Sequence, residues 1–141
     1  MIIKTSSATQ TQEWAAKLAQ KYRDGGILAL SGPLGAGKTT FIQGFAQGLG
    51  LKQHLISPTF IIARQYPLPH QQQGMLFHLD LYRLENVHQM EELGLSEIFA
   101  NPKNIILIEW AEKLGSLLPK NATLVNFKIL SPDQREIEVK D

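Results

Sequence analysis

The sequence predicts an α/β fold in which a mixed β-sheet is flanked by helices and ends in a C-terminal antiparallel hairpin. Three observations carry this expectation. Ile27 to Leu30 is a short, uninterrupted apolar run, the pattern of a central strand buried on both faces. Helical spacing of apolar residues stands on either side of it. The last stretch of the chain alternates apolar and polar residues around a turn sequence. At 141 residues the chain corresponds to one domain, 1–141, and its 43% apolar and 19% charged residues are those of a globular protein.

In chain order, Trp14, Leu18 and Tyr22 recur on one stripe beside Ala15 and Ala19, which predicts an amphipathic helix from about Thr9 to Arg23. Ser7 or Thr9 serves as its cap, and Asp24-Gly25-Gly26 ends it. A second helix is predicted from Lys38 to about Leu49. Phe41, Phe45 and Leu49 share its apolar face, and Gly44 and Gly48 let a neighbour approach closely. Phe60 to Tyr66 and Met75 to Leu81 read as strands. The proline- and glutamine-containing Pro67 to Gly74 between them reads as a solvated tip. Residues 87–100 are weakly helical, and Asn104 to Ile108 is a second fully apolar strand ending at Glu109. Val125, Phe127 and Ile129 lie on one face and are answered by Ile137 and Val139 across Ser131-Pro132-Asp133-Gln134. Proline second in that tetrad favours a type I turn, hence a hairpin.

Composition removes several function classes. Fourteen basic against thirteen acidic residues leave +1, which supplies no electrostatic ground for a nucleic-acid or membrane partner. Without cysteine there are no disulfides, thiolate nucleophiles or cysteine-bound zinc. No apolar run approaches the ~18 residues of a membrane span. Met1 to Trp14 lacks the apolar core of a signal peptide, so a soluble, cytoplasmic domain is expected.

The chemistry lies between the buried strand and the second helix. Gly32-Pro33-Leu34-Gly35-Ala36-Gly37-Lys38-Thr39 matches G-x-x-x-x-G-K-[ST], the phosphate-binding loop, with a strand before it and a helix after it. The pattern therefore points to a P-loop NTPase-type sheet. Glycines let consecutive backbone N–H groups wrap a polyphosphate, and the helix N-terminus adds further donors. Lys38 supplies a charge to the β- and γ-phosphates, and Thr39 a hydroxyl to magnesium. Such a site needs an acid at the end of a neighbouring strand. Glu109 and Asp80 are the two on offer; Glu109 is favoured as the metal ligand and Asp80 as a water-orienting group. His78 is two residues from Asp80, on the same strand face, where a structural hydrogen bond competes with a functional role. His54, His70 and His88 read as surface or loop residues. Trp14 reads as core, while Trp110 either packs or stacks on a base or partner. Ser57-Pro58-Thr59 is a turn by default, although a threonine there can sense a γ-phosphate as GTPase switch segments do.

Together Gly32 to Thr40, Ser57-Pro58-Thr59-Phe60, His78-Leu79-Asp80-Leu81-Tyr82-Arg83-Leu84 and Glu109-Trp110 resemble the TsaE family, across nearly the whole chain from about Thr11. The resemblance implies a bacterial ATPase of tRNA threonylcarbamoyladenosine synthesis. Its partners would be the threonylcarbamoyl transferase and that enzyme's inactive paralogue, whose complex ATP resets between turnovers, with tRNA contact at most indirect. By position, Gly35, Ala36, Gly37, Lys38, Thr39 and Thr40 would hold the phosphates of ATP. Thr39 and Glu109 would bind Mg2+, and Thr11 would lie near the nucleotide. Lys38 and Asp80 would serve catalysis. Ser57, Thr59 and Trp110 are the switch or partner-contact candidates.

A small-molecule kinase is the alternative enzyme. Such kinases usually carry an arginine-rich lid, whereas this chain has only Arg23, Arg64, Arg83 and Arg135, widely spread. The guanine-reading N-K-x-D of GTPases is absent, and Asp80 is not followed by glycine at the third position. A binding module that keeps nucleotide as a structural ligand is a third reading. The phosphate loop, its acids and the sheet use up nearly the whole length, which predicts work done as a subunit.

Overall fold

Seven strands form one sheet in the computed structural model, which describes residues 1–52, 63–86 and 88–140, with the backbone alone for Met90. In chain order the elements are β1 (Ile2–Thr5), α1 (Ala8–Ala19), β2 (Gly26–Ser31), α2 (Lys38–Gly48), β3 (Ala63–Pro67), β4 (Met75–Asp80), α3 (His88–Glu92), α4 (Leu95–Ala100), β5 (Ile105–Glu109), β6 (Thr123–Ile129) and β7 (Arg135–Lys140). The strand order is β1-β7-β6-β2-β5-β4-β3. The central four, β6, β2, β5 and β4, run parallel, and antiparallel pairs close both edges. The P-loop NTPase-type sheet and the terminal hairpin are thus as the sequence predicts.

Strand alternation sorts the core into two layers. Leu28, Leu30, Leu76, Ile105, Leu107, Val125 and Phe127 meet α1 and α2 on one face. Ile27, Ala29, Phe77, Leu79, Ile106 and Ile108 pack on the other face against Leu84, Leu95 and Leu114, from the segments that return under the sheet. Burial on both faces is why β2 and β5 read as unbroken apolar runs.

Helix α1 starts at Ser7, whose hydroxyl accepts the Gln10 N–H at 3.1 Å while Gln10 Oε1 accepts the Ser6 N–H at 2.7 Å, close to a reciprocal capping box. A short 3-10 turn, Gln20–Tyr22, then leads into Gly25 and Gly26. Trp14 is half-buried rather than fully core, with its ring 6.0 Å from that of Phe41. The weakly helical stretch resolves into α3 and α4, separated by Gly94 at φ 71°. Of the predicted strand Phe60 to Tyr66, residues 60–62 lie outside the described residues and the rest belongs to β3.

Two features depart from the sequence reading. The N-terminus is an edge strand, β1, paired with β7 through Ile2↔Glu138 to Thr5↔Arg135. The 67–74 loop is a solvated tip only in part, with Pro67, Pro69, Gln72 and Gln73 exposed. Leu68 and Gly74 are buried, a His70 ring nitrogen lies 2.6 Å from the Arg23 carbonyl, and Gln71 Nε2 donates to the Lys103 carbonyl at 2.9 Å. Its polar side chains cap carbonyls at the amino ends of the parallel strands, so a composition that signals solvent instead satisfies buried backbone.

Helix α2 is held against α1 by absence of side chain. A Cβ on Gly44 would stand 2.4 Å from the Gln12 carbonyl oxygen and 2.5 Å from its Cα, and one on Gly48 would stand 2.4 Å from the Ala16 oxygen. Backbone cannot yield as a flexible side chain does. By helix propensity alone Gly44→Ala would stabilise by about 1 kcal/mol. The contact predicts the opposite sign, a loss of about 1–3 kcal/mol in urea unfolding at unchanged slope.

Candidate functional site

The site is built where the parallel strands end. Residues 32–37 connect β2 to α2, with Gly35 at φ 80° and Gly37 at φ 99°, the left-handed conformations that a tightly wrapped loop requires. The first intrahelical bond of α2 runs from the Phe41 N–H to the Gly37 carbonyl, 2.9 Å. The N–H groups of Lys38, Thr39 and Thr40 therefore have no acceptor within the helix, and with its dipole they favour an anion.

Register brings the acids alongside. Glu109 of β5 pairs with Leu30 of β2 on one side and Asp80 of β4 on the other. All three strands finish at the edge from which the loop departs, the usual ligand edge of an open α/β sheet. A cleft of about 590 Å³ there is lined by Gly35, Gly37, Lys38, Thr39, Thr40, Asp80, Glu109 and Trp110. Thr11 also lines it, buried, with its hydroxyl 2.7 Å from that of Thr5. Ala36 is buried behind the loop. Ser57 and Thr59, with Pro58, Phe60 and His54, lie outside the described residues. His88 is exposed.

Lys38 is buried, its Nζ donating to the Gly32 carbonyl at 2.8 Å and lying 4.3 Å from the centre of the Trp110 ring. The loop carbonyl and the π-face together hold the ammonium in a part-desolvated position. Trp110 is half-buried, its ring tilted by 57° against that of Tyr82 at 5.1 Å between centres, and it alone among the described non-glycine residues has positive φ, 60°. Such a conformation for a bulky side chain carries strain of about 1–3 kcal/mol, which the surroundings must hold in place.

Glu109 is buried, and its Oε2 lies 2.7 Å from His78 Nε2. Asp80 is half-buried, with Oδ1 accepting the Tyr82 N–H at 3.0 Å. Burial pushes the Asp80 carboxyl above its ordinary range. The Tyr82 N–H counters this, the Glu109 charge adds to it, and His78 and Lys38 oppose it more weakly.

Sequence reasoning missed the contribution of the hairpin. Because β6 runs parallel to β2, the turn after it arrives beside the loop, and Pro132, Asp133 and Arg135 line the cleft. Arg135 Nη1 donates to the carbonyls of Ser131, Pro132 and Gln134, and its Nη2 reaches the Gly35 carbonyl at 3.2 Å. No local pattern announces this, since the contact spans a hundred residues. The only usable signal is an arginine immediately after a turn.

The donor set fits magnesium. Among the described residues no three His, Asp or Glu side chains converge as a metal cage. One carboxylate and one hydroxyl beside a phosphate cradle is instead the arrangement for an ion held largely by substrate phosphates and water.

Compared with known proteins, residues 5–137 match the family model described as threonylcarbamoyl adenosine biosynthesis protein TsaE. The chain is 39% identical over 137 residues to the tRNA threonylcarbamoyladenosine biosynthesis protein TsaE of Bacillus subtilis, covering 95% of this chain and 81% of that one. It is 32% identical to the protein of the same name from Treponema pallidum, over 94% and 95% of the two chains. Among solved structures, the crystal structure of Bacillus subtilis YdiB is similar with a TM-score of 0.77 at 34% identity, over 97% of this chain and 82% of that chain.

The raised Asp80 carboxyl has a consequence for stability. An acid whose pKa is raised by folding favours the fold while protonated and loses that contribution as pH rises through the folded-state value. Asp80→Asn keeps an acceptor for Tyr82 but removes the charge. The variant is expected to be more stable than the parent at neutral pH, with a difference that vanishes as pH falls to the unfolded carboxylate value of about 3.9. Urea unfolding across that range checks both sign and pH dependence.

Proposed function

The chain belongs to the TsaE family, and from that premise we propose that it is a magnesium-dependent ATPase serving tRNA threonylcarbamoyladenosine synthesis. The observation that carries the reading is the convergence of the G-x-x-x-x-G-K-T loop with Glu109 and Asp80 at one edge of the sheet.

The loop N–H groups from Gly35 to Thr40 and the α2 N-terminus bind the phosphates. Lys38 Nζ leaves the Gly32 carbonyl and the Trp110 face to meet the β- and γ-phosphates, exchanging a neutral acceptor for an anionic one. Thr39 and Glu109 would hold Mg2+, which would supply positive charge against that gathering on the γ-phosphate oxygens. Asp80 keeps Oδ1 on the Tyr82 N–H, so its other oxygen orients a water for in-line attack on the γ-phosphorus. The water oxygen bonds to phosphorus as the bond to the ADP oxygen breaks, and the water's protons pass to the departing phosphate and to solvent, giving ADP and inorganic phosphate. Arg135, anchored on the hairpin, steadies Gly35 from outside the loop.

The partners are the threonylcarbamoyl transferase and its inactive paralogue, as family membership supports, and ATP turnover resets their complex. Action in the cytoplasm fits this role. No helix among the described residues is long and apolar enough to cross a membrane.

Two measurements test this. Lys38→Ala is expected to lower ATP turnover by about 10²-fold or more; retention of full activity defeats the assignment. Turnover by the unaltered chain is expected to be slow and to rise when the purified transferase complex and tRNA are added. An unchanged rate counts against coupling to that complex.

A further inference from the structure

We propose that His78 is a positioning residue that fixes the Glu109 carboxylate for the metal; the proposal rests on the reading of Glu109 as a Mg2+ ligand.

His78 is 1% exposed and Glu109 5%, a buried polar pair in a sheet whose core is mostly apolar. The pair is set up by register. His78 lies opposite Leu107, so Glu109 is its diagonal neighbour on the same face of β5, the spacing that a long side chain can bridge. The Nε2–Oε2 distance of 2.7 Å is that of a charge-assisted hydrogen bond. A carboxylate oxygen only accepts, so Nε2 carries the proton and donates.

Nδ1 is buried and has no hydrogen-bond partner among the described residues. Among the described residues the one hydrogen bond of the imidazole goes to Glu109. The bond occupies Oε2 and leaves Oε1 as the oxygen that would ligate the ion. Metal-bound carboxylates commonly depend on such outer hydrogen bonds, and their loss typically costs about 10–100-fold in metal affinity. Asp80, the residue after next on β4, is turned instead toward the Tyr82 N–H, so the two acids are held by different devices.

The test measures metal binding directly. Mn2+ is titrated by electron paramagnetic resonance into the protein saturated with ADP, for the unaltered chain, His78→Ala, His78→Gln and Glu109→Gln. ADP affinity in the presence of a chelator is measured for each. His78→Ala is expected to weaken Mn2+ binding about 10–100-fold while metal-free ADP affinity stays within about twofold. Glutamine carries its amide nitrogen near the position of Nε2, so His78→Gln is expected to recover most of the loss. A structural role alone would lower the melting temperature of both variants and leave Mn2+ affinity unmoved, and that result overturns the proposal. If Glu109→Gln leaves Mn2+ binding intact, the ligand assignment itself fails. A loss in Glu109→Gln without one in His78→Ala refutes only the positioning role.

Discussion

Strands β2, β5 and β4 run parallel in matched register, so that Leu30, Glu109 and Asp80 come abreast at one edge of the sheet. Everything chemical in the chain depends on that alignment. A slip of one residue would turn Glu109 and Asp80 to the opposite face, away from Lys38. The aliphatic residues that precede the acids make such a slip costly, since each has one face to fill. Leu107 and Ile105 meet the helical layer, while Ile106 and Ile108 meet the returning segments beneath. Core packing thereby sets the position of two charges.

The loop and its helix add a second level of placement. Gly44 and Gly48 bring α2 against the backbone of α1, which fixes where its N-terminus points. Arg135 ties the loop to the terminal hairpin from outside. Within this frame Lys38 rests on Gly32 and Trp110, whose backbone is strained and whose ring packs against Tyr82. The lysine is thus kept at the loop, engaged with partners weaker than a phosphate would be.

Much of the site was legible in the sequence because its parts are local. Gly32 to Thr39 is a contiguous motif, Glu109 ends an apolar run and Asp80 ends an alternating strand pattern. Their meeting followed from topology. What was not legible depends on contacts distant in sequence. Arg135 reaches Gly35 only because β6 lies beside β2, and His78 could be placed on the face of Asp80 but not against Glu109. The 67–74 loop was legible in part: its prolines and Gln72 and Gln73 are exposed as composition signals, whereas Gln71 spends its amide on the Lys103 carbonyl. Strand β1 escaped notice because its few residues are stabilised by β7, at the other end of the chain.

Crystals grown with Mn2+ and a non-hydrolysable ATP analogue test the central claim most directly, that this edge of the sheet is a metal–triphosphate site. The account predicts an anomalous peak between the Thr39 hydroxyl and Glu109, with Lys38 Nζ moved from the Gly32 carbonyl onto phosphate. A triphosphate bound elsewhere, or one seated in the loop while Lys38 stays on Gly32 and the metal lies away from Glu109, would contradict it.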